Sequence, residues 1–163
     1  MIGQTFTNTA AGTITVYAGR IDASLAKLTT EQIWMRGSEN ENAIGNIVLH
    51  LCGNLHQYTR HAISGESDIR ERDDEFNAHG GVAVDALRER LKAVTTDAAA
   101  IIKGVTEDQL MTKIVVQSRE MTMLEAIFKT TEHFALHTGQ IFYATKLLTH
   151  QELGFFTHNR ATV

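Results

Sequence analysis

Residues 132–148 read EHFALHTGQIFYATKLL, with apolar side chains recurring at helical spacing. At 100° per residue, the apolar face of this segment is centred near Met123, Phe134 and Ile141. Thr122 and Glu125 have the spacing of a capping box, in which each side chain bonds the free backbone N–H of the other residue. The sequence therefore predicts a helix over about 122–149.

Three other segments repeat this apolar periodicity, and they predict helices over about 10–29, 42–64 and 82–103. Gly65 stands where a C-terminal cap is expected for the second of them. The chain has no proline, which favours long unbroken helices. Four amphipathic helices of this length predict an all-α fold, a four-helix up-down bundle formed by a single domain over residues 1–163.

Two connections in the predicted bundle have unusual composition. The β-branched run TKIVVQ, residues 112–117, is too short for a helix and predicts a strand or a short β-hairpin before the last helix. Residues 66–81 are dense in charge and close with Gly80-Gly81. We interpret this second segment as a loop whose length indicates a functional role.

The composition excludes several classes of function. The net charge of −4 leaves no basic surface for a nucleic-acid backbone. No apolar run is long enough to cross a membrane and the N-terminus lacks the pattern of a signal peptide, so we expect a cytoplasmic protein. Cys52 is the single cysteine, so a metal ion would have to be held by His, Asp or Glu.

The histidines offer such a metal site. His133 and His137 are four residues apart on the last helix, so both can reach one ion, and they border its apolar face. His50 lies at the margin of the apolar stripe on the second helix. Marginal positions on two facing helices can converge on a cavity at one end of a bundle. Three small residues would leave space there: Ala43, Gly53 and Ala144.

Three neutral imidazoles suit Zn, Ni, Fe or Cu and leave at least one coordination position open. The spacing alone is weak support, because a marginal histidine is more often only hydrogen-bonded. Zincin chemistry is not indicated, because Phe134 stands where that motif has its catalytic glutamate. The alternative is that the histidines are structural.

Two strings carry a family resemblance: NAIGNIVLHLCGNLHQYTRH at 42–61 and EHFALHTGQIFYATKLL at 132–148. They resemble the second and fourth helices of the DinB/YfiT-like superfamily of metal-binding bundles. Members carry one histidine on helix two and H-x-x-x-H on helix four, commonly followed by Gly-Gln-Ile. Here these positions match His50, His133, His137 and the run 139–141. The resemblance, to an uncharacterised branch, implies a divalent metal held by the three histidines.

Some members of the superfamily resemble transferases that use low-molecular-weight thiols such as bacillithiol, or a mycothiol-dependent isomerase. The resemblance therefore implies a metal-dependent enzyme, either an S-transferase acting with a small-molecule thiol or a hydrolase. The alternative is a non-catalytic metal-binding or stress-related protein that forms a homodimer. Neither the catalytic residues nor the metal is specified by the sequence, because the fold does not determine the reaction.

Four polar residues are candidates for supporting roles. Asn54 and Gln140 could orient a ligand imidazole or a bound water, or could instead satisfy a neighbouring helix. Arg70 and Arg72 could bind a substrate carboxylate with two parallel hydrogen bonds, or could form a solvated, self-paired surface. Cys52 points to a different side of its helix from His50, so we expect a small buried apolar residue.

Overall fold

The computed structural model describes residues 2–155, so the ends of the predicted 1–163 domain lie outside the described residues. The helices are α1 (Ile2–Leu25), α2 (Thr30–Ile33), α3 (Ile44–His56), α4 (Arg72–Asn77), α5 (Val84–Gly104) and α6 (Met123–Thr149). Helix α3 continues directly into a π-helix at Gln57–Ile63, and a 3-10 helix covers Asp108–Met111. The strands are β1 (Lys113–Val116) and β2 (Arg119–Thr122).

The four long helices form the predicted bundle. Helices α1 and α3 each pack against both α5 and α6, so α1 and α3 lie across the bundle from each other. The core consists of the apolar stripes of these helices, which turn inward and exclude water. Its fully buried side chains include Ile14, Ile21, Leu51, Leu55, Leu91, Ile102, Ile127 and Phe134. Within residues 2–155, no helix is long and apolar enough to span a membrane.

Two helix boundaries differ from those expected. Helix α1 begins at Ile2 and ends at Leu25, whereas the periodicity indicated about 10–29. The early residues are rich in Thr, which has a modest intrinsic helix propensity. Their helix is supported instead by tertiary packing, because Gly3 is buried so close to Glu107 and Leu110 that a Cβ would come within 2.9 Å of the Leu110 side chain.

The charged segment 66–81 is not a loop throughout, so that prediction was wrong for residues 72–77. These residues form α4, which packs on α3. A helix of 6 residues is too short to be stable on its own. Contacts from distant side chains hold it, and these contacts leave no periodic signal in the sequence.

The predicted β-hairpin is confirmed. Strands β1 and β2 pair antiparallel, with Val116 opposite Arg119. The turn residues Gln117 and Ser118 both have positive φ, 51° and 59°, the conformation of a type I′ turn that usually takes Asn or Gly. The capping box of Thr122 and Glu125 is also present at the start of α6. The hairpin thus leads directly into α6, and Gln117 in its turn faces the bundle.

Candidate metal centre

Three histidines meet between α3 and α6. His50 projects from α3, and His133 and His137 project from successive turns of α6. His133 Nε2 lies 3.0 Å from His50 Nε2 and 3.1 Å from His137 Nε2. One ligand atom from each ring can be chosen so that all three lie within 4.8 Å of one another. His50 is buried, and the other two are half-buried at the edge of the core.

The donor set fits a divalent transition metal. Imidazole nitrogens bind such ions at about 2.0–2.1 Å, which places two ligands of a tetrahedral site about 3.3–3.4 Å apart. The two short Nε2 separations, 3.0 and 3.1 Å, are close to that value. Three imidazoles occupy three positions and leave at least one open. The three histidines are therefore positioned to bind a metal ion.

The Nδ1 atom of His50 faces a carboxylate. It lies 2.9 Å from Glu75 Oε2 and 3.0 Å from an Nη of Arg70. A guanidinium has no acceptor and a carboxylate has no proton to give, so the Nδ1–H of His50 must donate to Glu75. This tautomer leaves the lone pair on Nε2. Glu75 therefore both fixes the ring and directs its free nitrogen toward the other two histidines.

Glu75 is itself held by Arg70. The Nε of Arg70 donates to Oε1 at 2.7 Å and an Nη donates to Oε2 at 2.8 Å. The side chains of Arg70 and Glu75 are only 3% and 8% exposed. Burial alone would raise the pKa of Glu75, but the hydrogen bonds from Arg70 and His50 outweigh it and the pKa lies below its usual value. The carboxylate is thus ionised beside His50.

Gly53 makes this approach possible. It lies in α3, three residues after His50, and a Cβ there would overlap the Glu75 carboxylate and come within 3.1 Å of Arg70 Nε. The sequence suggested that Gly53 leaves empty space near the histidines. The structure corrects this expectation, because the space is filled by the Glu75–Arg70 pair.

The backbone of α4 is fixed from the bundle side. Asn46 Nδ2 donates to the carbonyls of Glu75 at 2.9 Å and Ala78 at 2.8 Å, and Arg36 donates to the Ala78 carbonyl at 3.0 Å. The Phe76 ring packs on His50 with 4.8 Å between centroids. These contacts place Glu75 opposite His50 although 25 residues separate them in sequence.

The two histidines of α6 have different surroundings. Gln140 Oε1 lies 2.6 Å from His137 Nδ1, so Nδ1–H donates to it and Nε2 stays free. The buried Nδ1 of His133 has no partner within residues 2–155. Because His50 and His137 carry their protons on Nδ1, a hydrogen bond among the three Nε2 atoms needs the proton on His133 Nε2.

Burial keeps the α6 histidines neutral. It lowers the pKa of His133 to about 4, and the nearby His137 and His50 contribute to the shift. Burial also lowers the pKa of His137 from its ordinary value. A neutral imidazole is the form that binds metals. These two histidines are therefore in their ligating form at neutral pH.

A cavity of about 250 Å³ opens beside His50 and His133. Asn54 lines it, but Asn54 Oδ1 accepts a hydrogen bond from Thr130 at 3.0 Å, which is the neighbouring-helix alternative for this residue. Arg70 does not reach the cavity as a free cation, because Glu75 occupies its guanidinium. Arg72 does line it, with its guanidinium carbon 4.9 Å from the Phe76 ring centroid.

Several residues of the site could not be predicted from the sequence, and the most important of them is Glu75. Its carboxylate was one of many in a charged segment, and nothing in the local pattern separates it from its neighbours. Cys52, in contrast, is buried as expected, and burial raises the pKa of its thiol to about 12. The cysteine is therefore unsuited to ligate a metal or act as a nucleophile.

The chain resembles known proteins in sequence and in structure. It matches the family model described as a protein of unknown function (DUF1572) over residues 1–161. No curated protein matches it. Among solved structures, a DinB-like protein, YjoA of Bacillus subtilis, shares the fold with a TM-score of 0.70 at 18% identity, covering 90% of this chain and 96% of that one.

A conserved protein of Enterococcus faecalis also shares the fold, with a TM-score of 0.70 at 14% identity, covering 89% of this chain and 98% of that one. At these identities the two structures establish the fold and nothing about activity. The family match spans almost the whole chain. The chain therefore belongs to the DUF1572 family and has the DinB-like fold.

Proposed function

We propose that the chain is a cytoplasmic protein that binds one divalent metal ion, zinc, nickel or iron, through His50, His133 and His137. The observation that carries the proposal is the convergence of three imidazole Nε2 atoms, two of them 3.0 and 3.1 Å from the third. Hydrogen bonds to Glu75 and Gln140 hold two of the rings with Nε2 free. A purely structural histidine cluster would not need this arrangement.

Metal content tests this assignment. Protein purified without a histidine tag is expected to hold about one metal ion per chain, and His50→Ala and His137→Ala are expected to lose it, because two imidazoles bind far less tightly than three. His79→Ala is the matched control, since His79 is exposed and outside the cluster. If both site variants retain their metal in full, the assignment of the metal ligands is wrong.

We propose further that the protein is a thiol S-transferase. A divalent ion at this site would act as a Lewis acid and lower the pKa of a small-molecule thiol. The chain's own part is to keep His50 and His137 oriented and to leave the cavity open beside them. With a chlorinated electrophile, a sulfur–carbon bond would form, the carbon–chlorine bond would break, chloride would leave and the thiol proton would pass to solvent.

The transferase proposal is tested with a panel of thiols and monochlorobimane as the electrophile. A rate that depends on metal loading, and that disappears in His137→Ala, is expected with at least one thiol. Chelated wild-type protein gives the background rate. The absence of any metal-dependent rate would favour the alternative of a non-catalytic metal-binding protein.

One observation favours the homodimer of that alternative. Leu136, Tyr143 and Leu147 follow one another at steps of seven and four on α6 and are 57%, 68% and 57% exposed. Such a stripe on one helix face suits pairing with a second copy of the chain. Sedimentation of wild type is expected to give a dimer that Tyr143→Glu dissociates, with Lys103→Glu on α5 as control. A monomeric wild type would contradict it.

A further inference from the structure

We propose that the cavity beside the histidines binds a small molecule through its carboxylate, with Arg72 and Lys129 as the counter-charges and the Tyr58 hydroxyl as a hydrogen-bond donor. The inference rests on the proposed function, since it describes the thiol that would reach the metal. It differs from the sequence-based expectation, in which Arg70 and Arg72 formed the anion site. In the proposed site, Lys129 of α6 and Tyr58 of the π-helix take the place that the sequence-based expectation gave to Arg70.

The two cations at this cavity form no ion pair with the described residues. Arg60, Arg70 and Arg88 each form an ion pair with Asp or Glu. Arg72 and Lys129 line the cavity, and neither makes an ion pair or hydrogen bond among residues 2–155. Two cationic side chains that line one cavity without an ion-pair partner supply the charge that a carboxylate requires.

Arg72 makes a cation–π contact with Phe76. Its guanidinium carbon lies 4.9 Å from the Phe76 ring centroid, and the Phe76 ring packs on His50 at 4.8 Å. A cation–π contact does not use the N–H groups of a guanidinium as hydrogen-bond donors to another side chain. The two contacts therefore place a cation next to a proposed metal ligand without using its hydrogen-bonding capacity.

Tyr58 supplies a neutral donor at the same cavity. It lies in the π-helix that follows α3, and its ring is buried. Its hydroxyl has no hydrogen-bond partner among the described residues. Burial raises the pKa of Tyr58, so the hydroxyl keeps its proton and can donate a hydrogen bond to an oxygen atom of the bound molecule. Short π-helical segments of this kind often mark functional sites.

The balance of charge favours an anion. Three neutral imidazoles leave the charge of a divalent ion uncompensated, and the carboxylate that contacts His50, Glu75, is matched by Arg70. Arg72 and Lys129 add two positive charges to the lining, and Glu132 adds one negative charge. The net sign is positive. The negative charge of Glu132 could also pair with an ammonium group of the same ligand, such as an amino-acid-derived thiol carries.

A series of thiols of similar size but different charge tests the proposal. 3-Mercaptopropionate, 2-mercaptoethanol and cysteamine carry a negative, a neutral and a positive group, and their binding to cobalt-loaded protein is followed by visible absorption. We expect the anionic thiol to bind at least about tenfold more tightly than the neutral one, as two charge-assisted contacts allow. Added salt should weaken that preference.

Variants assign the preference to the cavity. Arg72→Gln/Lys129→Gln is expected to lose about tenfold in affinity for 3-mercaptopropionate while keeping its cobalt and its affinity for 2-mercaptoethanol. Tyr58→Phe should weaken binding several-fold without loss of cobalt. Lys92→Gln/Lys103→Gln removes the same charge from exposed positions of α5 and is expected to behave as wild type.

Equal affinities for the three thiols, or an unchanged preference in the Arg72/Lys129 double variant, would overturn the proposal. Failure of the proposed function has a different signature, namely no cobalt bound or no sulfur-to-cobalt absorption band. In that case propionate and propanol are titrated into the metal-free protein by NMR. Propionate-specific shifts that the double variant abolishes support the carboxylate site, and their absence overturns it.

Discussion

Gly53→Ala is the substitution that most directly tests how the candidate metal centre is assembled. In an ordinary helix the change would stabilise the protein by about 0.5–1 kcal/mol, because glycine loses more backbone freedom on folding than alanine. At position 53 the new Cβ would overlap the carboxylate of Glu75. We therefore expect Glu75 to leave its place between His50 and Arg70.

The expected cost follows from burial. The Arg70 side chain is 3% exposed, and removing the partner of a buried charge typically costs about 3–5 kcal/mol. After the helix-propensity gain is subtracted, Gly53→Ala should lower the free energy of unfolding by about 2–4 kcal/mol. His50 also loses the acceptor that fixes its Nδ1–H, a change that typically weakens metal binding about 10–100-fold.

Gly139→Ala is the matched control, because Gly139 lies inside α6 and a Cβ there would meet nothing within 4 Å. Urea unfolding of the metal-free variants gives the stability difference, and competition with a chromogenic chelator gives the metal affinity. Gly139→Ala should be neutral or stabilising and should bind metal as wild type does. If Gly53→Ala proves equally stable and equally tight in metal binding, the role assigned to Glu75 is refuted.

Three further outcomes are expected. The pKa of His133 is about 4 in the folded protein, against 6.5 for an ordinary histidine. As the pH falls, the unfolded chain therefore binds a proton at His133 at a higher pH than the folded protein does. The metal-free protein should therefore lose stability between pH 6.5 and 4, and His133→Gln should flatten that dependence in urea titrations. Nitrogen-15 NMR of His133 should show the proton on Nε2 without metal and on Nδ1 with zinc; Nδ1–H in both states would contradict the assigned tautomers. Cys52, with a thiol pKa of about 12, should react with Ellman's reagent only in urea, and Cys52→Ala should keep its metal.

The four helices and the two histidine-bearing faces could be predicted because they depend on local periodicity. A buried apolar stripe repeats every three or four residues, so the pattern indicates which side of each helix faces the core. Examples are Leu51 and Leu55 on α3 and Phe134 and Ile141 on α6. The hairpin was likewise visible in its β-branched run. The first two turns of α1 were not, since packing of Gly3 against the 3-10 segment, rather than propensity, makes them helical.

Glu75 could not be predicted for a different reason. It is one of seven charged residues between positions 68 and 75, and its neighbours Asp73 and Asp74 are exposed. What distinguishes Glu75 is the set of distant groups around it: Asn46 on its backbone carbonyl, Arg70 on its carboxylate and Gly53 beneath it. Only the folded bundle brings these groups together.

This dependence links the charged segment to the chemistry of the centre. The free nitrogen of His50 points toward His133 only while its other nitrogen donates to Glu75, and Glu75 stays in place only while Arg70 neutralises it in a buried position. Gln57 ties Arg70 in turn to the hairpin, because its Oε1 accepts from Arg70 at 2.9 Å and from Gln117 at 3.0 Å. The hairpin turn at Gln117 is therefore connected to a candidate metal ligand, His50, through an unbroken chain of hydrogen bonds.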